Sequence, residues 1–463
     1  MAEAQYLPEA PLADPQPTRT LAAALRRVGF DAAALGVVLG GGGEEQPAVF
    51  NARAAQLPPP LATALRLFVL GQKVTRPDVE EALDDGLAAG LALRALVDGD
   101  GDGVRATLRI IPHDVLFVAS DLPSLEPPDE HVAAAHAPSL TLARLTVRRR
   151  VARALDIGTG NGIQALLLAQ HADHVVATDV NERALRFTEF NAALNGRTNI
   201  ETRAGSWLSP VEGERFGAVV CSPPYVISPG SGLLYRDGDA RGDVLSELLV
   251  RDIPAHLVDG GYASVLVSWV PDRPDEEPAP LRWSTNSGCD SLVLGLHRES
   301  AHDAAAAWNE DGDLATWLDF YRSEGIDEIA YSAVVLRRRD GESWYDTLEL
   351  PGGPVGHASD HLLRIFAARE SLASGVIHQR RFAWAPDAEV HGTELSLRGG
   401  LGLRAQLDAA GAAVVERLSA THPAGAAFDA AARALRQDRA TLRGLGEGLL
   451  RRLVELGFVV PAP

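Results

Sequence analysis

Residues 154–163 read Ala154-Leu155-Asp156-Ile157-Gly158-Thr159-Gly160-Asn161-Gly162-Ile163. An apolar run leads into three alternating glycines, and a helical pattern over 162–171 follows. Glycines at such a strand-to-helix turn give the backbone conformations closed to other residues and let it approach a ligand closely. A dinucleotide fingerprint would need its third glycine at position 163, which is Ile163, so the spacing argues against NAD.

Two further elements follow in order. Asp179 ends the apolar run Val175-Val176-Ala177-Thr178, where a carboxylate can accept both hydroxyls of a ribose. Ser222-Pro223-Pro224-Tyr225 comes directly after the strand candidate Ala218-Val219-Val220-Cys221, hence at the carboxyl edge of a sheet, where ligands of α/β folds bind. From Val151 to about Arg339 the runs ARALDIG, HVVATDV, FGAVVCS and YASVLVSW alternate with helical patterns at 162–171, 181–195 and 242–257. That alternation predicts a parallel sheet with crossover helices. Residues 271–287 read as a surface insertion, and Cys221 as a small core residue of its strand.

The segments LDIGTGNGIQALLLA, ATDVNERALRFTEFNAALNG and GSWLSPVEGERFGAVVCSPPYVISP lie within about 75 contiguous residues. Together they resemble the class I S-adenosylmethionine-dependent methyltransferases. The nearest likeness is to the group with an (N/D/S)-P-P-(Y/F/W) motif that methylates amino or amide nitrogen, above all the release-factor glutamine methyltransferases and the small-domain ribosomal RNA guanine methyltransferases. The resemblance implies a Rossmann-like sheet and S-adenosylmethionine as cofactor. By the same resemblance Asp156, Gly158, Thr159, Gly160 and Gly162 shape the pocket for its amino-acid end, Asp179 and Val180 take the ribose, and Ser206 and Trp207 lie by the adenine. Gly205-Ser206 stands where the family usually has Gly-Asp, and Ser222 where the glutamine and guanine enzymes have Asn.

The chemistry explains why such a motif is needed. An amide or arylamine nitrogen has a delocalised lone pair and is a poor nucleophile toward a sulfonium methyl. Acceptors that hold its N–H groups turn the lone pair toward the methyl and stabilise the positive charge of transfer. Ser222, which also borders the cofactor, and Pro223 supply these acceptors as catalytic residues. Pro224 and Tyr225 meet the substrate, and Tyr225 is a catalytic residue as well, its ring stacking on a planar amide or base and its negative face favouring the charge of transfer. Trp207, Trp269 and Tyr235 are candidates for lining or filling the cleft. The implied acceptor is a macromolecule, a protein Gln side chain first and an exocyclic amine of ribosomal RNA (guanine N2 or adenine N6) second. A small natural product is a third acceptor, and a non-catalytic scaffold with a cofactor fold is the alternative of a different class.

Composition narrows the setting. The chain has 463 residues, 46% apolar and 23% charged, which fits two to four globular domains. Its 43 basic and 62 acidic residues give −19, which opposes a broad sequence-independent grip on phosphates. Two cysteines, Cys221 and Cys289, without paired ligand spacing predict neither a disulfide framework nor a metal site, and suit a reducing cytoplasm. No run reaches the ~20 apolar residues that span a bilayer. Oligomeric state is not legible.

The flanks are read from periodicity. Residues 1–18 form a loose arm. Residues 19–135 form a helix-rich, winged-helix-like module, with helices near Pro17, over 61–70 and from Thr75, and Ala106–Ala119 as its ribbon. With thirteen acids against five bases over 71–130, a balance of −8, this module suits protein contact or packing better than DNA. The run Asp98-Gly99-Asp100-Gly101-Asp102-Gly103 imitates a calcium loop, but Arg109 stands at the twelfth position, leaving a solvated turn. His131 and His136, without a third ligand, are surface or packing residues. A methyltransferase domain over 136–345 is followed by a helical, winged-helix-like module over 346–463. Its helix patterns are at 414–418, 426–435 and 448–456, and its eight arginines against six acids over 401–463 give +2.

Overall fold

The structure is a computed structural model that describes residues 7–39, 47–99, 101–124, 128–224, 226–229, 242–271, 277–308, 313–350, 352–372 and 376–462. The chain opens with helices α1 (Pro15–Arg27), α2 (Ala32–Leu39), α3 (Pro47–Ala54) and α4 (Pro59–Phe68). Then come β1 (Val74–Thr75), α5 (Arg76–Leu83), α6 (Asp85–Ala92), β2 (Leu96–Asp98), β3 (Gly103–Ala106), β4 (Arg109–His113) and β5 (Leu116–Ser120). The first helix begins two residues before the expected Pro17: Asp14 caps the amide of Gln16 and Pro15 fixes the first turn.

Two expectations for this region change. Residues 7–18 are not a loose arm, because Leu12 donates its amide to the Leu93 carbonyl, Thr18 is buried, and α1 already runs from Pro15. Residues 1–6 lie outside the described residues. The ribbon expected over Ala106–Ala119 is the hairpin of β4 and β5, but the module also holds a three-stranded sheet in the order β1-β3-β2, which was not expected. The acidic run is the turn between β2 and β3, closed by the Gly99 amide on the Gly103 carbonyl, with Asp100 outside the described residues.

The central elements are α7 (Ala137–Leu145), β6 (Val151–Ile157), α8 (Ile163–Leu168), β7 (Ala172–Asp179), α9 (Glu182–Leu194), β8 (Ile200–Ala204), β9 (Phe216–Cys221), α10 (Gly242–Asp252) and β10 (Leu257–Trp269). They continue through α11 (Ala279–Ser284), β11 (Cys289–Ser300), α12 (Ala301–Trp308), α13 (Leu314–Glu324), β12 (Glu328–Arg338) and β13 (Tyr345–Glu349). Eight strands form one sheet in the order β13-β11-β12-β10-β9-β6-β7-β8. All pairings are parallel except the two that β12 makes, with β10 and β11. Strand order reverses at β6, so β6 and β9 part their connections to opposite sides and leave a crevice at their carboxyl ends. This is a Rossmann-like α/β sheet with one reversed strand, as the sequence predicts. The apolar runs of β6, β9 and β10 are buried on both faces, which explains their near-continuous hydrophobicity.

Two boundaries differ. The sheet continues through Glu349, so a domain ending at residue 345 would cut its edge strand β13. The 271–287 stretch is not a surface insertion: α11 buries Ala279, Leu281 and Trp283 against the sheet, while 272–276 lie outside the described residues.

The C-terminal part contains α14 (Ser359–Leu372), β14 (Phe382–Trp384), β15 (Ala388–His391), β16 (Glu394–Leu397), β17 (Arg404–Gln406), α15 (Ala409–Val415), α16 (Ala424–Leu435), α17 (Arg439–Glu455) and β18 (Val459–Pro461). The last helix starts nine residues before the expected Gly448, and its Gly446 serves packing, since a Cβ there would sit 2.6 Å from the Phe428 ring. His361 of α14 locks this part to the core. Its Nε2–H donates to the Leu456 carbonyl at 2.8 Å and its Nδ1 accepts the Leu401 amide at 3.3 Å, a pairing only the neutral ring can make. Burial pushes its pKa down to about 4 from an ordinary value near 6.5. Between these values the unfolded chain binds the extra proton, so this contribution is complete above the upper one and is lost as pH falls. Going from pH 7 to 5 should cost about 2 kcal/mol of stability, with His361→Gln flattening the dependence in urea unfolding.

Candidate functional site

Sheet register gathers the site. Ile157 lies opposite both Thr178 and Cys221, and Asp179 lies opposite Ala204. Gly158 and Ser222 therefore leave the sheet at the level of Asp179 and Ala204, with Val180 and Gly205 one residue beyond. There they open a cavity of about 610 Å³, within the range of small-molecule sites. Its lining includes Gly158, Thr159, Gly160, Asp179, Val180, Ser206, Trp207, Ser222, Pro223 and Pro224. Gly158 and Gly160 both have φ in the left-handed region, at 68° and 55°, with no atom within 4 Å of where a Cβ would stand. Here glycine is needed for the turn and leaves its backbone open to the cavity.

Asp156 and Gly162 are not in that lining. Asp156 is 1% exposed beneath the loop, where its Oδ2 accepts the Thr159 hydroxyl at 2.7 Å and the Ala165 amide at 3.0 Å. Gly162, at φ 80°, starts α8 with Thr188 2.9 Å from a virtual Cβ. Both shape the turn from behind rather than face a ligand. Burial raises the Asp156 pKa to about 7, opposed by those two hydrogen bonds and reinforced by the Asp179 charge. Burial likewise raises that of Asp179, against the amides of Asn181 and Gly160.

Asp179 holds the loop while remaining able to bind. Its Oδ2 accepts the Gly160 amide and its Oδ1 the Asn181 amide, both at 2.9 Å. Each carboxylate oxygen keeps a lone pair for another donor. Trp207 lines the cavity with a left-handed backbone, φ 50°, uncommon for a bulky residue. Trp269 does not line it: it is buried elsewhere, donating its Nε1–H to Ser332. Tyr225 and Tyr235 lie outside the described residues. Cys221 is a fully buried strand residue whose thiol pKa burial raises further.

Two groups of lining residues were not legible. His131 and His136, expected as surface or packing residues, both border the cavity with Ala133, Ala134 and Ser139. This wall is fixed by backbone acceptors: Asn161 donates to the Ala133 carbonyl at 2.9 Å, Gln164 to that of Ser139, and Asn181 to that of Glu130. Val244, Leu245, Leu248, Leu249 and Asp252 recur along one face of α10 and form the opposite lip. Their helical periodicity is that of ordinary core packing, so nothing in the pattern marked a cavity. Ser-Pro-Pro is followed by Val226 and Ile227, which pack among Trp317 and Tyr321 of α13, with the Tyr321 hydroxyl donating to the Ile227 carbonyl at 2.8 Å. Among the described residues no group of three His, Cys, Asp or Glu is placed to hold a metal ion, and no helix is long and apolar enough to cross a membrane.

Residues 136–265 match the family model of the methyltransferase small domain, and residues 41–107 match a domain of unknown function. A release factor glutamine methyltransferase of Xylella fastidiosa is 36% identical over 135 residues, covering 26% of this chain and 47% of that protein. One of Escherichia coli is 33% identical over 113 residues, covering 24% and 39%. A ribosomal protein uL3 glutamine methyltransferase of Bradyrhizobium diazoefficiens is 30% identical over 125 residues, again covering 24% and 39%. The chain thus spans less than half the length of these curated relatives. With the sheet order and the loops at its carboxyl edge, these matches establish that residues 136–265 belong to the methyltransferase small-domain group of the class I S-adenosylmethionine-dependent methyltransferases.

Proposed function

We propose that the chain is an S-adenosylmethionine-dependent N-methyltransferase acting on an amide nitrogen of a macromolecule, a protein Gln side chain before an RNA amine. The observation that carries this reading is one cavity bordered by the glycine turn, by Asp179 and by Ser222-Pro223-Pro224. The residues fit the cofactor: open glycine backbone for its amino-acid end, a carboxylate with free lone pairs for its ribose, and Val180, Trp207 and the α10 face for an adenine. When bound, the cofactor supplies an electrophilic methyl on a sulfonium. The chain's part is to hold the acceptor nitrogen in line, with the Ser222 hydroxyl oxygen and the Pro223 carbonyl accepting its N–H groups. As the N–CH3 bond forms and the S–CH3 bond breaks, the nitrogen loses a proton to water. No resident base is required before transfer. The relatives named for glutamine methylation favour a protein acceptor, and the overall charge of −19 favours it over RNA. Two buried free thiols suit a reducing, cytoplasmic setting.

The test is transfer of a radiolabelled methyl into cell extract, split between nuclease and protease. Label released only by protease, and located on a Gln side chain, is the expected result. Label lost only to nuclease would replace the acceptor with RNA, and a product methylated on oxygen, sulfur or carbon would overturn the nitrogen assignment.

The raised pKa of Asp156 adds a pH signature. Near pH 7 Asp156 is partly protonated, and a cationic cofactor next to the loop favours its ionised form. Cofactor affinity should therefore rise as pH increases from 6 to 8. Binding should release a fraction of a proton, visible as buffer-dependent heat in titration calorimetry and lost in Asp156→Asn.

A further inference from the structure

Helix α9 faces both the glycine turn and the N-terminal hairpin. Asn191 and Asn195, one turn apart, reach the outer edge of β5. Asn191 accepts the Ala119 amide at Oδ1 and donates from Nδ2 to the Ala119 carbonyl, both at 2.8 Å. Asn195 repeats the arrangement on Phe117, at 2.9 and 2.7 Å. A side-chain amide offers the same donor and acceptor as a peptide group. Four residues of helix rise about 6 Å, close to the ~6.6 Å of two strand residues. The two asparagines thus take the place of a neighbouring strand.

They differ in where the second Nδ2 hydrogen goes. That of Asn195 meets the Asn191 carbonyl of its own helix at 2.8 Å. That of Asn191 meets the Asn161 carbonyl in the glycine turn at 2.7 Å. Asn161 in turn holds the Ala133 carbonyl through Nδ2 and accepts the Ile163 amide at Oδ1, and both Asn161 and Ala133 line the cavity. Asn191 is fully buried and outside that lining.

We infer that Asn191 is a positioning residue for the cofactor: it fixes the Asn161 peptide against β5, and through Asn161 the Ala133 wall, so that the N-terminal hairpin sets the shape of the methyltransferase cavity. The inference rests on reading that cavity as the S-adenosylmethionine site. The asymmetry between the two asparagines supplies its test. Asn191→Leu and Asn195→Leu, made in the full chain, each remove one clamp on β5 and should lower thermal stability alike. Only Asn191→Leu should weaken S-adenosylmethionine in titration calorimetry, by about ten-fold, as expected when a buried carbonyl loses its donor. In the unmutated chain, the cofactor should slow hydrogen exchange of the Ala119 amide and leave that of Phe117 unchanged. This measurement stands even if Asn191→Leu fails to fold. Wild-type binding with equal effects of the two variants, or equal protection at Ala119 and Phe117, overturns the inference alone. A wild-type chain that binds no S-adenosylmethionine overturns the reading of the cavity as well.

Discussion

Asp179→Ala should weaken S-adenosylmethionine binding by roughly 1.5 to 3 kcal/mol per charged hydrogen bond lost, or about ten- to a hundred-fold for one bond. The side chain sits at the end of β7 with both oxygens in use, one on the Gly160 amide and one on the Asn181 amide. Its removal therefore takes away the ribose acceptor and frees the glycine turn. Asp179→Asn separates these effects, since the amide keeps one acceptor and lacks the charge; it should retain the fold and part of the affinity. Circular dichroism and calorimetry on the three proteins decide the matter. Unchanged affinity in Asp179→Ala would remove this residue from the cofactor site.

Four strands of the sheet, β6, β7, β9 and β10, were legible because their apolar runs are buried, whereas the equally buried runs of β11 and β12 were not identified. A strand covered on both faces must be a short continuous apolar run, and those ending at Ile157, Asp179 and Cys221 stand out against Arg- and Asp-rich flanks. The edge strand β8 was missed because Ile200–Ala204 reads Ile-Glu-Thr-Arg-Ala and is only partly buried. The wall carrying His131 and His136 was missed for a different reason. Its residues hold their place through backbone carbonyls that accept from Asn161, Gln164 and Asn181, and a bond to a carbonyl leaves no trace in the identity of the residue that bears it.

The N-terminal module shows the same limit. Its hairpin was visible as two apolar runs about Pro112-His113-Asp114, yet its role was not. What fixes it to the central sheet is α9, whose Ala184, Phe187, Phe190 and Leu194 join the apolar core of the N-terminal helices and whose polar side chains add further ties, including Arg183, which donates to both oxygens of the buried Asp121 and to the Pro8 carbonyl. Residues of α9 thus support the cofactor turn and the flanking module together. Separating residues 136–345 as an independent unit would leave Asn191, Asn195 and Arg183 without these partners.

Ser222→Ala should slow methyl transfer ten- to a hundred-fold while cofactor affinity hardly changes. Ser222 is half-buried in the lining directly after β9, one residue past the level where Ile157 meets Cys221. From there its hydroxyl oxygen can accept an N–H of an amide lodged between Pro223 and the glycine turn. Loss of one neutral hydrogen bond whose partner is left unpaired is worth ~1 to 3 kcal/mol, and that amount enters the barrier because the bond strengthens as the nitrogen becomes cationic. The complementary variant is Ser222→Asn, which restores the side chain found in the glutamine and guanine enzymes it resembles. A site that accepts Gln should keep its activity with the longer amide acceptor, whereas a site shaped around serine for another substrate should lose it through crowding. Single-turnover transfer, with the methylated atom located by mass spectrometry, separates these outcomes. A normal single-turnover rate in Ser222→Ala would leave the Pro223 carbonyl as the orienting acceptor and remove Ser222 from the chemistry.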